Sequence, residues 1–274
     1  MRVIPAADTA VSAAGVIAIG PWQLALAAGF VVLTGIVSLV LRLGVGRRFV
    51  FAAARACAQL LALGLVLGWV FRLSSPWLVG GILLLMLSVA ALTVARRAPD
   101  APGGVLPVAF FALGAVGVFV TFTVTGAVIG VEPWYLPRYV IPIAGMILGN
   151  SMNDMAVALE RAFADLDARA DEVLALTALG ATPWEAARPS IRAAMRAGMI
   201  PGINTLTTAG IVFIPGMMAG QILAGTDPMR AAPYQIVVMF MISAAGVLGS
   251  ALAVSLAYRR RFTADGVFLE KGMR

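Results

Sequence analysis

The stretch Val105–Ile129, VLPVAFFALGAVGVFVTFTVTGAVI, holds no charged residue and no polar side chain beyond three threonines. About 20 apolar residues in a helix cross the roughly 30 Å hydrocarbon core of a bilayer, so this run predicts a membrane span. Working outward, runs of the same character bounded by arginine, proline and glycine lie at Trp22–Leu41, Phe51–Phe71 and Trp77–Ala95. Three later runs, Tyr139–Leu159, Met199–Ala224 and Pro233–Ala257, are richer in Gly, Pro, Asn and Thr, which suits helices facing protein or water rather than lipid. The expectation is an all-α, polytopic bundle of about seven spans.

Composition agrees: 274 residues, 61% hydrophobic and 12% charged, leave no room for a separate soluble domain of ordinary size. Residues 1–274 are therefore expected to form one transmembrane domain carrying a cytoplasmic hairpin at 161–198. The basic residues fix its expected orientation. Loops on one side carry 16 of the 20 Lys and Arg residues, against Arg2, Arg72, Arg138 and Arg230 on the other. Positive loops face the cytoplasm, which places the N-terminus outside and the C-terminus inside a multi-pass inner (plasma) membrane protein. Ahead of the first span, the small apolar stretch Ala10–Gly20 reads as a short external amphipathic segment, with an extra half-crossing as the competing reading.

The residue census excludes most enzyme chemistry. Without histidine there is no Ser-His-Asp triad and no H-E-x-x-H zinc site, and the single Cys57 excludes an internal disulfide and a C-x-x-C site. The one lysine, Lys271, lies outside any G-x-x-x-x-G-K-[ST] loop, so if ATP drives this protein another chain must bind it. The chain is expected to be a transport subunit rather than an enzyme, binding no cofactor of its own.

The polar stretch Arg161–Gly198 has specific local chemistry. Arg161, Asp165 and Arg169 stand at i, i+4 and i+8, a charged helix face. A helix through Val173, Leu174 and Leu176 ends at Gly180, a residue that tolerates positive φ. Thr182-Pro183-Trp184-Glu185 then restarts a helix, with Thr182 as cap, Pro183 in the first turn and Glu185 at the capping-box position. Pro189 is expected to kink this second helix, whose Arg188, Arg192 and Arg196 form a row able to meet anionic lipid or a partner's carboxylates. Tethered at both ends and without room for a third helix, this helix-turn-helix does not suit DNA. A hairpin lying on lipid and a docking element for a cytoplasmic motor both remain open.

Polar residues inside the late spans mark a candidate pathway, because each is costly in hydrocarbon unless it faces protein or water. These are Asn150, Ser151, Asn153 and Asp154 in the fifth span, with Met152 among them; in the sixth, Pro215 breaks the helix and Met217 and Met218 beside it join the candidate pathway. Asp154 either serves transport or pairs with an arginine near the membrane surface. Gly145 with Gly149, and Gly216 with Gly220, form G-x-x-x-G pairs suited to close helix packing. The thioethers of the late spans suit soft ions, but no ligand set identifies a metal.

Three blocks carry a resemblance: Glu172–Ala186, EVLALTALGATPWEA; Ile141–Met152, IPIAGMILGNSM; and Pro215–Pro228, PGMMAGQILAGTDP, followed by Tyr234-Gln235-Ile236. The first resembles the coupling loop of ABC-transporter permeases, and together they are similar to the FetB-type permease family, bacterial proteins described as iron exporters with plant relatives linked to aluminium tolerance. The likeness is clearest from Pro137 to Tyr258. It implies a permease exporting a metal ion or metal-related small solute, paired with a second copy of itself and with a separate ATPase subunit that holds ATP and Mg. It also implies that Glu172, Leu179, Gly180, Ala181, Thr182, Pro183, Trp184 and Glu185 meet that ATPase. Asp154 stands where the pattern suggests a neutral residue. Two rival readings are an ion-gradient-driven secondary carrier using Asp154 and a non-transporting membrane scaffold.

Overall fold

A computed structural model describes residues 19–73, 75–98 and 104–269 of the chain. The expectations for Ala10–Ala18, Lys271 and Arg274 lie outside the described residues. Among those described, all regular structure is helical apart from two isolated β-bridges, Ala209 with Phe213 and Phe262 with Phe268. The helices in chain order are α1 (Pro21–Val40), α2 (Gly46–Leu73), α3 (Pro76–Arg97), α4 (Val105–Phe122), α5 (Pro137–Ala168), α6 (Ala170–Ala178), α7 (Pro183–Thr208), α8 (Gly216–Leu223) and α9 (Pro228–Ala257). A π-helical turn, Thr123–Val128, continues α4, and a 3₁₀ turn, Tyr258–Arg261, follows α9.

The chain separates into two compact units. The first comprises residues 19–73 with 216–231. In it α1 and α2 form a helical hairpin, turned by Arg42 (φ 51°) and Gly44 (φ 69°). The hydroxyl of Ser38 lies 3.2 Å from where a Cβ on Gly46 would sit, so glycine at the start of α2 lets the two helices close. Helix α1 and the stretch of α2 from Leu60 to Phe71 are apolar all round, and Leu39 and Leu65 stay more than three-quarters exposed. Apolar faces that the protein leaves uncovered are stable in lipid, not in water.

The second unit comprises the described residues of 74–215 and 232–269. Its axis is α5, which packs on α3, α4 and α7. The buried positions Val140, Ala144, Ile147, Ser151, Met155, Ala158, Ala162 and Leu166 recur every three to four residues, the stripe that a 3.6-residue period requires. Pro142 sits in the second turn and is carried without interrupting the helix. At 32 residues α5 is about 48 Å long, well beyond a roughly 30 Å hydrocarbon core. The same chain therefore meets two solvents. Where it packs in lipid, close approach through small residues such as Ala109, Ala112 and Ala158 supplies the attraction. Where it emerges, Phe163, Leu166, Val173 and Ile191 close a water-excluding core of the ordinary kind, each worth about 1.5–3 kcal/mol of burial.

Among the described residues, five helices are long and apolar enough to cross a membrane: α1, α2, α3, α4 with its π turn, and α9 with its 3₁₀ turn. Helices α5 and α7, at 32 and 26 residues, have the length but carry more polar residues. The expected sixth span, Met199–Ala224, is not one helix. It divides into the end of α7, a turn at Ala209–Pro215 and the short α8. In that turn Ala209 bridges Phe213, the Gly210 N–H donates to the Phe213 carbonyl at 2.9 Å, and Gly210 takes φ +78°. The break thus comes six residues before Pro215, which directly precedes α8. Helix α7 runs on through Pro189 and Pro201, so the kink expected at Pro189 does not end it.

Candidate functional site

The hairpin turn forms from its sequence signals, with the end of α6 and the start of α7 both capped. At the end of α6, Gly180 has φ +93°; its N–H donates to Thr177 at 3.0 Å and the Ala181 N–H donates to Leu176 at 2.9 Å. This pair of bonds is the Schellman arrangement, which uses two of the orphan carbonyls of the helix end. No atom lies within 4 Å of a Cβ built on Gly180, so glycine is required there by backbone conformation and not by crowding.

Two residues later the capping box is complete. The Glu185 N–H donates to the Thr182 hydroxyl oxygen at 3.3 Å, and the Glu185 carboxylate accepts from the Thr182 N–H at 2.8 Å and from its hydroxyl at 2.7 Å. These bonds hold the Glu185 carboxyl below its ordinary range, the backbone N–H contributing most. Between the two caps, Leu179 is 86% exposed at the tip and Trp184 is half-exposed on the first turn of α7.

The charged face at the base of the hairpin forms a chain of ion pairs. Arg161 meets Asp165 at 3.6 Å, and Asp165 meets Arg169 at 3.9 Å. Arg169 then clamps Glu172, with its Nε donating to Oε2 at 2.9 Å, and reaches the buried Ser190 hydroxyl of α7 at 3.4 Å. The hydrogen bond from Arg169 keeps the Glu172 carboxyl below the usual carboxylate range. Glu172 is thus committed within the chain, whereas Leu179 and Trp184 are presented outward.

The fifth-span residues fall on two faces. Asn150 and Asn153 are exposed and turn their amides back onto their own helix, donating to Met146 at 2.8 Å and to Gly149 at 3.1 Å. Asn153 also accepts from Arg97 of α3 at 2.5 Å. Ser151 and Asp154 are buried on the opposite face, with Met152 between the two. The arginine that reaches this region therefore binds the amide, and Asp154 has no ion-pair partner among the described residues. Its carboxylate rests against Gly246 of α9, where a Cβ would overlap Oδ2. The hydroxyls of Ser151 and of Ser250 on α9 are buried with no hydrogen-bond partner.

The sequence reading missed this seam. A Cβ on Gly198 of α7 would come within 2.9 Å of Ala158 Cβ and 3.2 Å of the Asp154 carbonyl oxygen, and one on Gly249 within 3.4 Å of Met155 Cε. Gly198-x-x-x-Gly202 and Gly246-x-x-Gly249-Ser250 were the available signals. Of the expected packing pairs, Gly145 is tight against Met86, at 3.1 Å, while Gly149, Gly216 and Gly220 face open space. Pro215 belongs to the second unit and Met217 and Met218, all three partly exposed, to the first. Among the described residues no group of three or more acidic or cysteine side chains could hold a metal ion.

Comparison with known proteins agrees with this architecture. The model of the family described as uncharacterised protein family UPF0014 matches residues 21–262. The UPF0014 membrane protein YjkA of Bacillus subtilis is 34% identical over 88% of this chain and 95% of its own length. The protein named "Probable iron export permease protein FetB" of Escherichia coli is 32% identical over 87% and 90%, and the Arabidopsis thaliana protein named "ALUMINUM SENSITIVE 3" is 31% identical over 85% and 84%. No solved structure matches the chain. A helical chain with several lipid-compatible spans, matched along nearly all its length by proteins named as membrane proteins, is itself a multi-pass membrane protein and belongs to the UPF0014 family.

Proposed function

We propose that the chain is the membrane-spanning permease subunit of an ATP-driven ABC transporter exporting a metal ion or a metal-related small solute. In this reading two copies of the chain pair, the hairpin and the C-terminus face the cytoplasm, and a separate subunit binds ATP and Mg. The chain itself catalyses no reaction. The observation that carries the reading is the doubly capped turn Leu179–Thr182, which offers an 86% exposed leucine at the tip of a rigid hairpin. An exposed leucine on a fully hydrogen-bonded turn is a ready knob for a partner's pocket. The chain's lack of a phosphate-binding loop is consistent with ATP held elsewhere. The metal cargo comes from the printed name of the Escherichia coli relative.

The test is purification of the tagged chain from its native membrane, followed by reconstitution in vesicles. Recovery of an ATP-binding chain and ATP-dependent movement of Fe(II) across the vesicle membrane is the expected result. Loss of the ATP-binding chain at every stage would overturn it. A second reading, an ion-gradient-driven carrier, is favoured by one observation, the buried carboxylate of Asp154, which has no ion-pair partner among the described residues. Asp154→Asn separates the two. Transport by the chain alone under a pH gradient, abolished in the variant and indifferent to ATP, belongs to the carrier.

A further inference from the structure

The register of the α1–α2 hairpin carries a charge into the membrane. A Cβ built on Gly46 would lie 3.2 Å from Ser38 Cβ, and one on Gly35 would lie 3.7 Å from Val50 Cγ2. These two contacts fix how the antiparallel helices are aligned: nine residues on from Gly46, or five on from Val50, Arg55 stands level with Gly29 and Phe30 of α1. Helix α1 has 20 residues and is apolar enough to span the hydrocarbon core by itself. At its length of about 30 Å, Arg55 lies about 15 Å from the level of either end. The sequence groups Arg55 with the loop arginines of the cytoplasmic side, but the hairpin sets it deeper than a snorkelling side chain spans.

Arg55 is not alone on its face. At about 100° per residue, Arg48, Arg55 and Gln59 fall within about 40° of one another on α2, with the small Ala52 and Ala62 to either side. Gly46 and Val50, which meet α1, lie on the opposite face, so the polar stripe turns away from the neighbouring helix. Arg48, Arg55 and Gln59 are all exposed. Neither arginine forms an ion pair among the described residues, and residues 19–73 hold five arginines without one Asp or Glu. Lipid suits the apolar remainder of the hairpin but cannot solvate this stripe, which needs water or an anion. Arg55 and Gln59, one turn apart, offer donors to carboxylate or phosphate oxygens, and Arg48 continues the stripe toward the α1–α2 turn.

We infer that this face of α2 lines a water-filled pathway and takes a small anionic solute bearing carboxylate or phosphate, with Arg55 as its contact at mid-membrane depth. This rests on the permease reading above and names the charge of the cargo. A metal would pass as an anionic complex, because the stripe repels a bare cation.

The chain's one cysteine, Cys57, makes the face testable. Cys57→Ser supplies a thiol-free background for four single variants, Ala52→Cys and Gln59→Cys on the stripe, and Ala54→Cys and Leu61→Cys off it. In native membranes open on both sides, each is treated with an impermeant anionic thiol reagent, sulfonatoethyl methanethiosulfonate, or with its cationic trimethylammonium counterpart. The stripe positions should react and the other two should not, and the anionic reagent should be faster by about tenfold. Arg55→Gln should remove that preference and Arg55→Lys should keep it. Unreactive stripe positions, reaction all round the helix, or a preference indifferent to Arg55→Gln would overturn the inference. So would stripe positions that react in phosphatidylcholine vesicles but are protected when phosphatidylglycerol is added, a result that assigns the arginines to lipid headgroups. In vesicles with the ATP-binding subunit, Fe(II) should move about tenfold faster with citrate than alone. Equal rates would overturn the anionic cargo and leave the permease reading standing. Failure of the permease reading is seen separately, as absence of an ATP-binding chain from the purified protein.

Discussion

Replacing Gly180 separates backbone geometry from side-chain contact at the hairpin tip. With φ at +93° and no atom within 4 Å of a built Cβ, substitution costs conformational strain and no overlap. For Ala that strain is about 1–2 kcal/mol, for a β-branched Val it is larger, and for Asn, which tolerates positive φ, it is smaller. A cost of one to two kcal/mol depletes the closed turn roughly 5- to 30-fold. The two bonds from Gly180 and Ala181 break together, and the Thr182 cap loses its approach. On the proposed permease reading, the ATP-binding chain recovered per copy of this chain, and ATP-driven transport in vesicles, should therefore fall in the order Gly, Asn, Ala, Val. Membrane insertion should be unchanged in all four, because the turn lies outside the apolar helices. An Asn variant as impaired as Val would show that side-chain size at the tip matters rather than φ. Full activity in the Val variant would refute the docking role of the turn.

Gly198→Ala should destabilise the chain by about 1–3 kcal/mol, because its Cβ would press on the Asp154 backbone, whereas Gly149→Ala, facing open space, should be neutral; thermal unfolding in detergent compares them. Arg261→Ala should lower stability by about 1–3 kcal/mol in the same assay, since Asp167 is 24% exposed and regains water only partly; no change would mean that the 3₁₀ turn after α9 is not held to α5 by this pair. A reporter after Arg274 should read cytoplasmic and one inserted near Asp227 external, and a cytoplasmic signal at Asp227 would overturn the proposed orientation.

How much was legible in the sequence depended on whether the signal was local. The hairpin was readable because each device acts within four residues: a glycine at a helix end, then threonine and glutamate three apart, and charges at i, i+4. The runs that became α1 to α4 and α9 were readable because lipid imposes a length and an apolar composition on any helix that crosses it. The sixth run failed for the same reason. Composition scores Met199–Ala224 as one apolar stretch, while a bridge between Ala209 and Phe213 with Gly210 at positive φ turns the chain inside it. Nothing in average hydropathy registers a turn made of apolar residues.

Tertiary facts were hidden differently. The tetrad spacing was read at Gly145, Gly149, Gly216 and Gly220, yet three of these face open space, while Gly198 and Gly246 carry the close approaches. Spacing tells which glycines share a helix face but not which face meets a neighbour, and that is decided by α5, α7 and α9 together. Asp154 shows the consequence. In the sequence it stands one residue from Asn153 and shares its surroundings, but helical rotation sends Asn153 outward to Arg97 and Asp154 inward to Gly246. An expected pathway of four polar residues around Met152 is therefore two arrangements: amides satisfied by their own helix, and a carboxylate beside two unsatisfied hydroxyls. Only the second keeps unspent hydrogen-bonding capacity inside the bundle. A change in spacing between α5 and α9 during a transport cycle would expose that capacity first.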